Sequence, residues 1–174
     1  MLRSVGFEFD TLPADIDESV RRGESPSAYV ARLSAEKARV VAGRIGPDAL
    51  VVAADTTVDV DGQILEKPLD EADARRMLML LSGRTHCVHT GVTILSSRHG
   101  PAETVVVETD VEFVELTSAM VEWYIGTAEP FGKAGAYAIQ GAGGALVRRV
   151  DGSVTNVIGL PLAETLELIS PPAP

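Results

Sequence analysis

Three charged side chains interrupt otherwise apolar patterns, and each has chemistry to offer. Lys37 falls in register with Leu33 and Val41, at i, i+4 and i+8, which aligns its ammonium with the buried stripe of a helix. The same spacing fits a lysine that lays its stem on the apolar face and keeps its charge in water. Asp55 follows an apolar run over residues 49–54 and precedes Thr56-Thr57. This places a carboxylate at the carboxyl end of a buried strand, the edge where open α/β sheets hold their ligands. There it can bind a divalent cation or accept a proton from water; the plainer reading is a turn aspartate bonded to its own backbone. Lys67 stands in Glu66-Lys67-Pro68, where the proline keeps it extended and restricts its direction. It suits a phosphate as a point charge, and an ordinary surface lysine reads the same way.

Two further stretches bear on chemistry. Residues 129–141 are dense in small side chains, which let backbone approach a ligand closely, and Gln140 carries an amide able to read a base edge or orient water. The order of a Walker phosphate loop is absent, and a tight structural turn fits the same composition. His86, Cys87 and His89 raise the question of zinc. In a strand, however, Cys87 and His89 face away from His86, and no second ligand cluster is visible, so no metal is expected there. A Gly-x-Ser-x-Gly elbow is also missing, which argues against a serine hydrolase.

The elements that must position these residues follow from periodicity and caps. A helix is expected from Ser25 or Pro26 to about Arg44, with Tyr29, Val30, Leu33, Val40 and Val41 on its apolar face and Gly46 past its end. Residues 49–54 predict a strand covered on both faces, and residues 58–60 lead into an Asp61-Gly62 hairpin turn. A second helix runs from about Asp70, its cap, to Ser82, burying Ala74, Met77, Leu78 and Leu81 before Gly83. Strands follow over residues 85–95 and 103–116, bridged by residues 96–100. Thr117 opens a third helix that carries Val121, Tyr124 and Ile125 and stops at Gly126. A glycine-rich bend at residues 141–144 leads to a strand over 145–150, and a last helix begins near Pro161. Helices and strands mix without strict alternation, which favours a mixed α+β arrangement over a plain doubly wound sheet. The 174 residues suit a single domain over 1–170 with a flexible tail at 171–174.

Charge narrows the function. Fifteen Lys and Arg against 25 Asp and Glu leave a net charge of −10, which argues against broad binding to nucleic acid or anionic membranes. A phosphate-rich ligand then requires a few gathered cations or a bound metal ion. No run approaches the apolar length of a membrane span and no signal peptide opens the chain. The single cysteine, Cys87, excludes an internal disulfide framework and suits a reducing interior, so a cytoplasmic location is expected.

Read in order, Ala54-Asp55-Thr56, Glu66-Lys67-Pro68, Leu81-Ser82-Gly83 with His86 and Thr90-Gly91-Val92, Lys133 to Gly141, and Val157 to Leu162 resemble the Maf family over nearly the whole chain. The resemblance implies an α/β fold akin to the inosine triphosphate pyrophosphatases: a bent mixed sheet flanked by helices, with a nucleotide cleft between two lobes. It implies a homodimer, a Mg²⁺ or Mn²⁺ requirement, and hydrolysis of a nucleoside triphosphate to its monophosphate and pyrophosphate. Ala54-Asp55-Thr56 and residues 135–140 resemble the branch that acts on dTTP and UTP. The branch acting on 7-methyl-GTP carries Ser-Asp-Gln and Ser-Phe-Lys-Ser-Glu at these places. Position by position, Asp55 matches the proton acceptor, and Glu18, in Asp15-Ile16-Asp17-Glu18, matches an acidic position that shares the metal. Lys37 and Lys67 match cationic positions near the phosphates, and Thr56 and Gln140 match positions tied to base choice.

One departure qualifies the expectation. Family members begin with a strand and a Ser-x-Ser-Pro-Arg-Arg loop that contacts the triphosphate, whereas this sequence opens at what resembles the stretch just after it, about fifteen residues on. Weak turnover or none from this chain is the corresponding expectation, and a non-catalytic nucleotide-binding regulator is the competing class.

Overall fold

The computed structural model describes residues 1–46, 49–96 and 101–169. The tail expected at 171–174 and most of the bridge expected at 96–100 lie outside these residues. Five strands form one antiparallel sheet in the order β2-β1-β3-β4-β5, with β1 at Val51–Val60, β2 at Gln63–Leu65, β3 at Thr85–Leu95, β4 at Glu103–Phe113 and β5 at Val147–Asp151. Helices flank the sheet, as expected for a mixed α/β fold.

The two apolar patterns read along β1 belong to one strand. Thr56 and Thr57 are β-branched and continue the extended backbone, so β1 runs without interruption to the Asp61-Gly62 turn. Both turn residues have positive φ, 53° and 79°, the geometry a tight hairpin needs. Asp55 is therefore mid-strand, which corrects the expectation that it ends one. It nevertheless lies at an edge. Short β2 pairs only with Val58–Val60, so residues 51–57 have no strand neighbour on that side among the described residues.

Helix α1, Pro26–Ile45, covers one face of the sheet and packs on β1, β3 and, more lightly, β4. Ser25 accepts a hydrogen bond from the Ala28 amide and Pro26 fills the first turn, so the start is where cap chemistry places it. Tyr29, Val30 and Leu33 are buried with Ile16, Ile64 and Val106 against them. The helix can approach so closely because β3 carries Gly91 beneath it. A Cβ there would sit 2.4 Å from the Val30 carbonyl oxygen.

The other face bears the larger core. Helices α2, Glu71–Leu81, and α3, Ser118–Ile125, bury Ala74, Met77, Leu78, Leu81, Val121, Tyr124 and Ile125 against Val58, Val88, Val111 and Phe113. Asp70 and Thr117 cap these helices through their side chains. Short α4, Val154–Ile158, lies on this side, where Val157 packs against the core, and α5 follows at Leu162–Ile169. Periodicity does not reveal α4: one turn capped by Ser153 and closed by left-handed Gly159 is too short to show a repeat.

Candidate active site

Residues 13–24 carry no regular structure but run back along α1, pinned at successive points. Arg44 donates to the Pro13 and Ala14 carbonyls, Ile16 packs on the α1 core, and the Tyr29 hydroxyl donates to the Glu18 carbonyl at 2.8 Å. Arg32 grips Glu24 with two nitrogens, at 2.5 and 2.8 Å, and donates to the Ser19 carbonyl. This strap delivers the Glu18 carboxylate to the middle of the helix.

There it meets the other expected residues. Lys37 Nζ lies 2.6 Å from Glu18 Oε1 and 2.6 Å from Asp55 Oδ1. Lys67 Nζ, on the loop after β2, lies 3.1 Å from Glu18 Oε2. Gly91 makes this possible. It is the cross-strand neighbour of Asp55, so α1 settles onto the sheet where Lys37 can reach across to the carboxylate. The lysine aligned with an apolar stripe is thus paired inside a cluster, with a side chain 20% exposed. The Lys67 loop is fixed in turn by Gly135, whose amide donates to the Glu66 carbonyl at 3.2 Å. Gly135 itself has φ 66° and packs so tightly on Val58 that a Cβ would come within 2.8 Å of it.

The electrostatics of the cluster are uneven. Burial pushes the Asp55 carboxyl above its ordinary value, with the Lys37 hydrogen bond opposing the rise. The more exposed Glu18 is held below its ordinary value by the Lys37 hydrogen bond, against some burial. Burial would lower the Lys37 ammonium, but its bonds to Asp55 and Glu18 outweigh that and leave it raised. Asp55 is accordingly the more basic carboxylate, the property a proton acceptor needs. Two carboxylate oxygens converging on one point of positive charge are also the donor set a hard divalent cation uses, so Asp55 and Glu18 fit one.

Asp55 and Lys67 border a cleft of about 270 Å³ with Ala54, Thr56, Val58 and Val88 along the sheet. Thr56 points to the face opposite α1. Its hydroxyl lies 2.8 Å from the Thr90 hydroxyl, which donates to the Asn156 carbonyl. Asn156, fully buried, donates to the Val88 carbonyl and to Thr109, and so ties α4 to the cleft floor. Gln140 is exposed on the turn after Tyr137 and is not among the residues that line the cleft.

The structure adds residues to which no separate role was given. Gly132, Lys133, Ala134 and Tyr137 form one wall, and Val157, Ile158 and Gly159 another. The Tyr137 hydroxyl is held 2.9 Å from His86 Nε2 in a T-shaped stack with Phe113. Burial drops His86 to about 4, so it is neutral near pH 7 and acts as a support. The available signal was the density of small residues around Lys133. It marked the segment but did not say which side chains face the ligand.

Known proteins resemble this chain along nearly its whole length. A family model described as "Maf-like protein" matches residues 1–171. The chain is 52% identical to the dTTP/UTP pyrophosphatase of Anaeromyxobacter dehalogenans (strain 2CP-C) over 171 residues, 97% of this chain and 86% of that protein. It is 52% identical to the dTTP/UTP pyrophosphatase of Myxococcus xanthus (strain DK1622), covering 97% of this chain and 84% of the relative. A protein of the same name from Pseudoalteromonas atlantica is 46% identical over 98% of this chain and 89% of its own length.

Proposed function

This chain belongs to the Maf family, and on that premise we propose that it hydrolyses dTTP and UTP to the monophosphate and pyrophosphate. The observation that carries the reading is the convergence of Glu18, Lys37, Asp55 and Lys67 at the open edge of β1 beside the cleft. A protein of net charge −10 holds a polyphosphate only where such groups are gathered.

Each residue has a part. Asp55 takes the proton of the water that attacks the α-phosphorus, and its raised basicity favours that transfer. The new P–O bond forms as the bond to the bridging oxygen breaks, and pyrophosphate leaves with that oxygen. Lys37 and Lys67, each paired with a carboxylate, turn to the phosphates and stabilise the charge that builds on the leaving group. A divalent cation, Mg²⁺ or Mn²⁺, held by Asp55 and Glu18 would neutralise phosphate charge and make the water more acidic. Thr56 on the cleft floor bears on base choice, and Gln140, exposed on the turn after Tyr137, keeps that role only through the family resemblance. At about 270 Å³ the cleft is slightly below the roughly 300–1,000 Å³ of small-ligand pockets, which suits enclosure of base and sugar with the phosphates over the lysines. The same reading makes the protein a cytoplasmic homodimer, supported by its single cysteine, Cys87, and by the family resemblance. No helix among the described residues is long and apolar enough to cross a membrane.

The test is pyrophosphate release from dTTP, UTP and 7-methyl-GTP with Mg²⁺ or Mn²⁺, beside calorimetric binding of the same nucleotides. Turnover of dTTP and UTP is expected, with Asp55→Ala lowering kcat by about 10²-fold or more while circular dichroism stays unchanged. Binding heat without product would make the chain a nucleotide-binding regulator, and preference for 7-methyl-GTP would move it to the other branch. Normal hydrolysis by Asp55→Ala would remove Asp55 from its role.

A further inference from the structure

We infer that Cys87, His89 and Glu108 form a second cation site, suited to a zinc-like ion, on the α1 face of the sheet. Cys87 and His89 are two residues apart on β3 and so share a face. Across the strand pair, His89 stands opposite Glu108, and Cys87 stands opposite Asp110. One ligand atom from each of Cys87, His89 and Glu108 lies within 4.8 Å of the others. Side-chain rotation alone can close that gap to the shell of a Zn²⁺ ion, with bonds of about 2.0–2.3 Å.

The second observation is a concentration of unmet hydrogen bonds. His89 is only 6% exposed and its Nε2 has no partner among the described residues. On β1, Thr57 faces His89 and Asp59 faces Cys87, and each has a buried oxygen in the same condition. Thus three of the six unpartnered buried side-chain atoms among the described residues occupy two adjacent rows of one sheet face. Buried polar groups are rarely left unsatisfied, and several together call for a ligand. Charge points to a cation. Asp59, Glu108 and Asp110 surround the thiol, and no lysine or arginine among the described residues pairs with them. Ser27, in the first turn of α1, donates to Glu108 at 2.6 Å and lies 3.2 Å from His89 Nδ1, placing it as an outer partner that orients both ligands. Ser27 and Glu108 meet the same ring nitrogen, which is not the arrangement of a nucleophile, base and acid.

A thiolate, an imidazole and a carboxylate select zinc-like ions over Mg²⁺ and Mn²⁺, which prefer oxygen alone. The ion replaces the Cys87 Sγ proton, which leaves to solvent, and clamps β3 to β4. The site is distinct from the cluster at Asp55, lying one to two rows further along β1 under Ser27 rather than Lys37.

The experiment is titration of chelator-treated protein with Co²⁺ as an optical probe, followed by Zn²⁺. One equivalent of Co²⁺ should give a thiolate-to-metal charge-transfer band that Zn²⁺ abolishes and excess Mg²⁺ leaves intact. The band should vanish in Cys87→Ser, and Glu108→Gln should bind at least about 10-fold more weakly while still hydrolysing nucleotide at the wild-type rate. Asp55→Ala should keep the band, which separates this site from the catalytic one. Should Cys87→Ser fail to fold, the exposed Glu108 variant carries the comparison. No thiolate band, or unchanged affinity in Glu108→Gln, overturns the proposal.

Discussion

An ammonium shared by two partly buried carboxylates is stable only while all three groups stay paired, and Lys37 is the shared member. Its loss would strand the Asp55 charge, which is only 11% exposed. Breaking such a pair costs more than the pair itself contributes, because the remaining charge stays buried. Lys37→Met is therefore expected to lose on the order of 2 kcal/mol of stability in denaturant unfolding. Adding Asp55→Asn should recover a large part of that loss, since the stranded charge is gone, while hydrolysis remains abolished. A double variant as unstable as the single would show that Lys37 acts through its apolar stem and not through its charge.

At the level of elements, the site depends on how closely α1 lies on the sheet and on the strap that brings Glu18 to it. Gly91→Ala sets a methyl group against helix backbone that has no rotamer to yield. A cost of at least about 2 kcal/mol in thermal or chemical unfolding is expected. Activity should fall as well, because the helix that lifts away carries Lys37. The strap is held by Arg32 on Glu24, whose carboxyl the Arg32 hydrogen bonds depress from 4.5 to about 2. A carboxyl lowered by folding contributes stability that is complete above its unfolded value and fades as pH falls from 4.5 toward 2. Arg32→Met should remove that acid-dependent portion of the stability profile. It should also speed tryptic cleavage after Arg21 and Arg22, read at neutral pH by mass spectrometry; equal cleavage in both proteins would mean the strap is held elsewhere.

For the whole molecule, both apolar clusters rest on opposite faces of the same strands, Val30 and Leu33 on one side and Val58, Val88 and Val111 on the other. Neither can be exposed without uncovering the sheet that supports the other. We expect one cooperative unfolding transition over residues 1–170, with equal calorimetric and van't Hoff enthalpies. The proposed homodimer predicts in addition a midpoint that rises with protein concentration, because association stabilises only the folded form. Two separated transitions would split the chain into independently stable parts.

Much of this was legible in the linear pattern. Helix caps at Ser25, Asp70 and Thr117 and the Asp61-Gly62 turn are local chemistry, so the elements they bound were readable residue by residue. The ordered motifs indicated the family, and with it the four charged groups that are linked through Lys37 and Glu18. What no reading of neighbours supplies is distance across the sheet. Asp55 appeared to end a strand because a carboxylate interrupts an apolar run; only the short reach of β2 and the missing side chain at Gly91 explain how it sits mid-strand yet open to Lys37. Cys87 and His89 lacked a third ligand in sequence because Glu108 is 19 residues beyond His89 and becomes its neighbour only through the β3–β4 register. Local signals arise from the backbone conformations available to a few residues. The sites arise from pairing between strands, whose partners are set by packing of the entire fold.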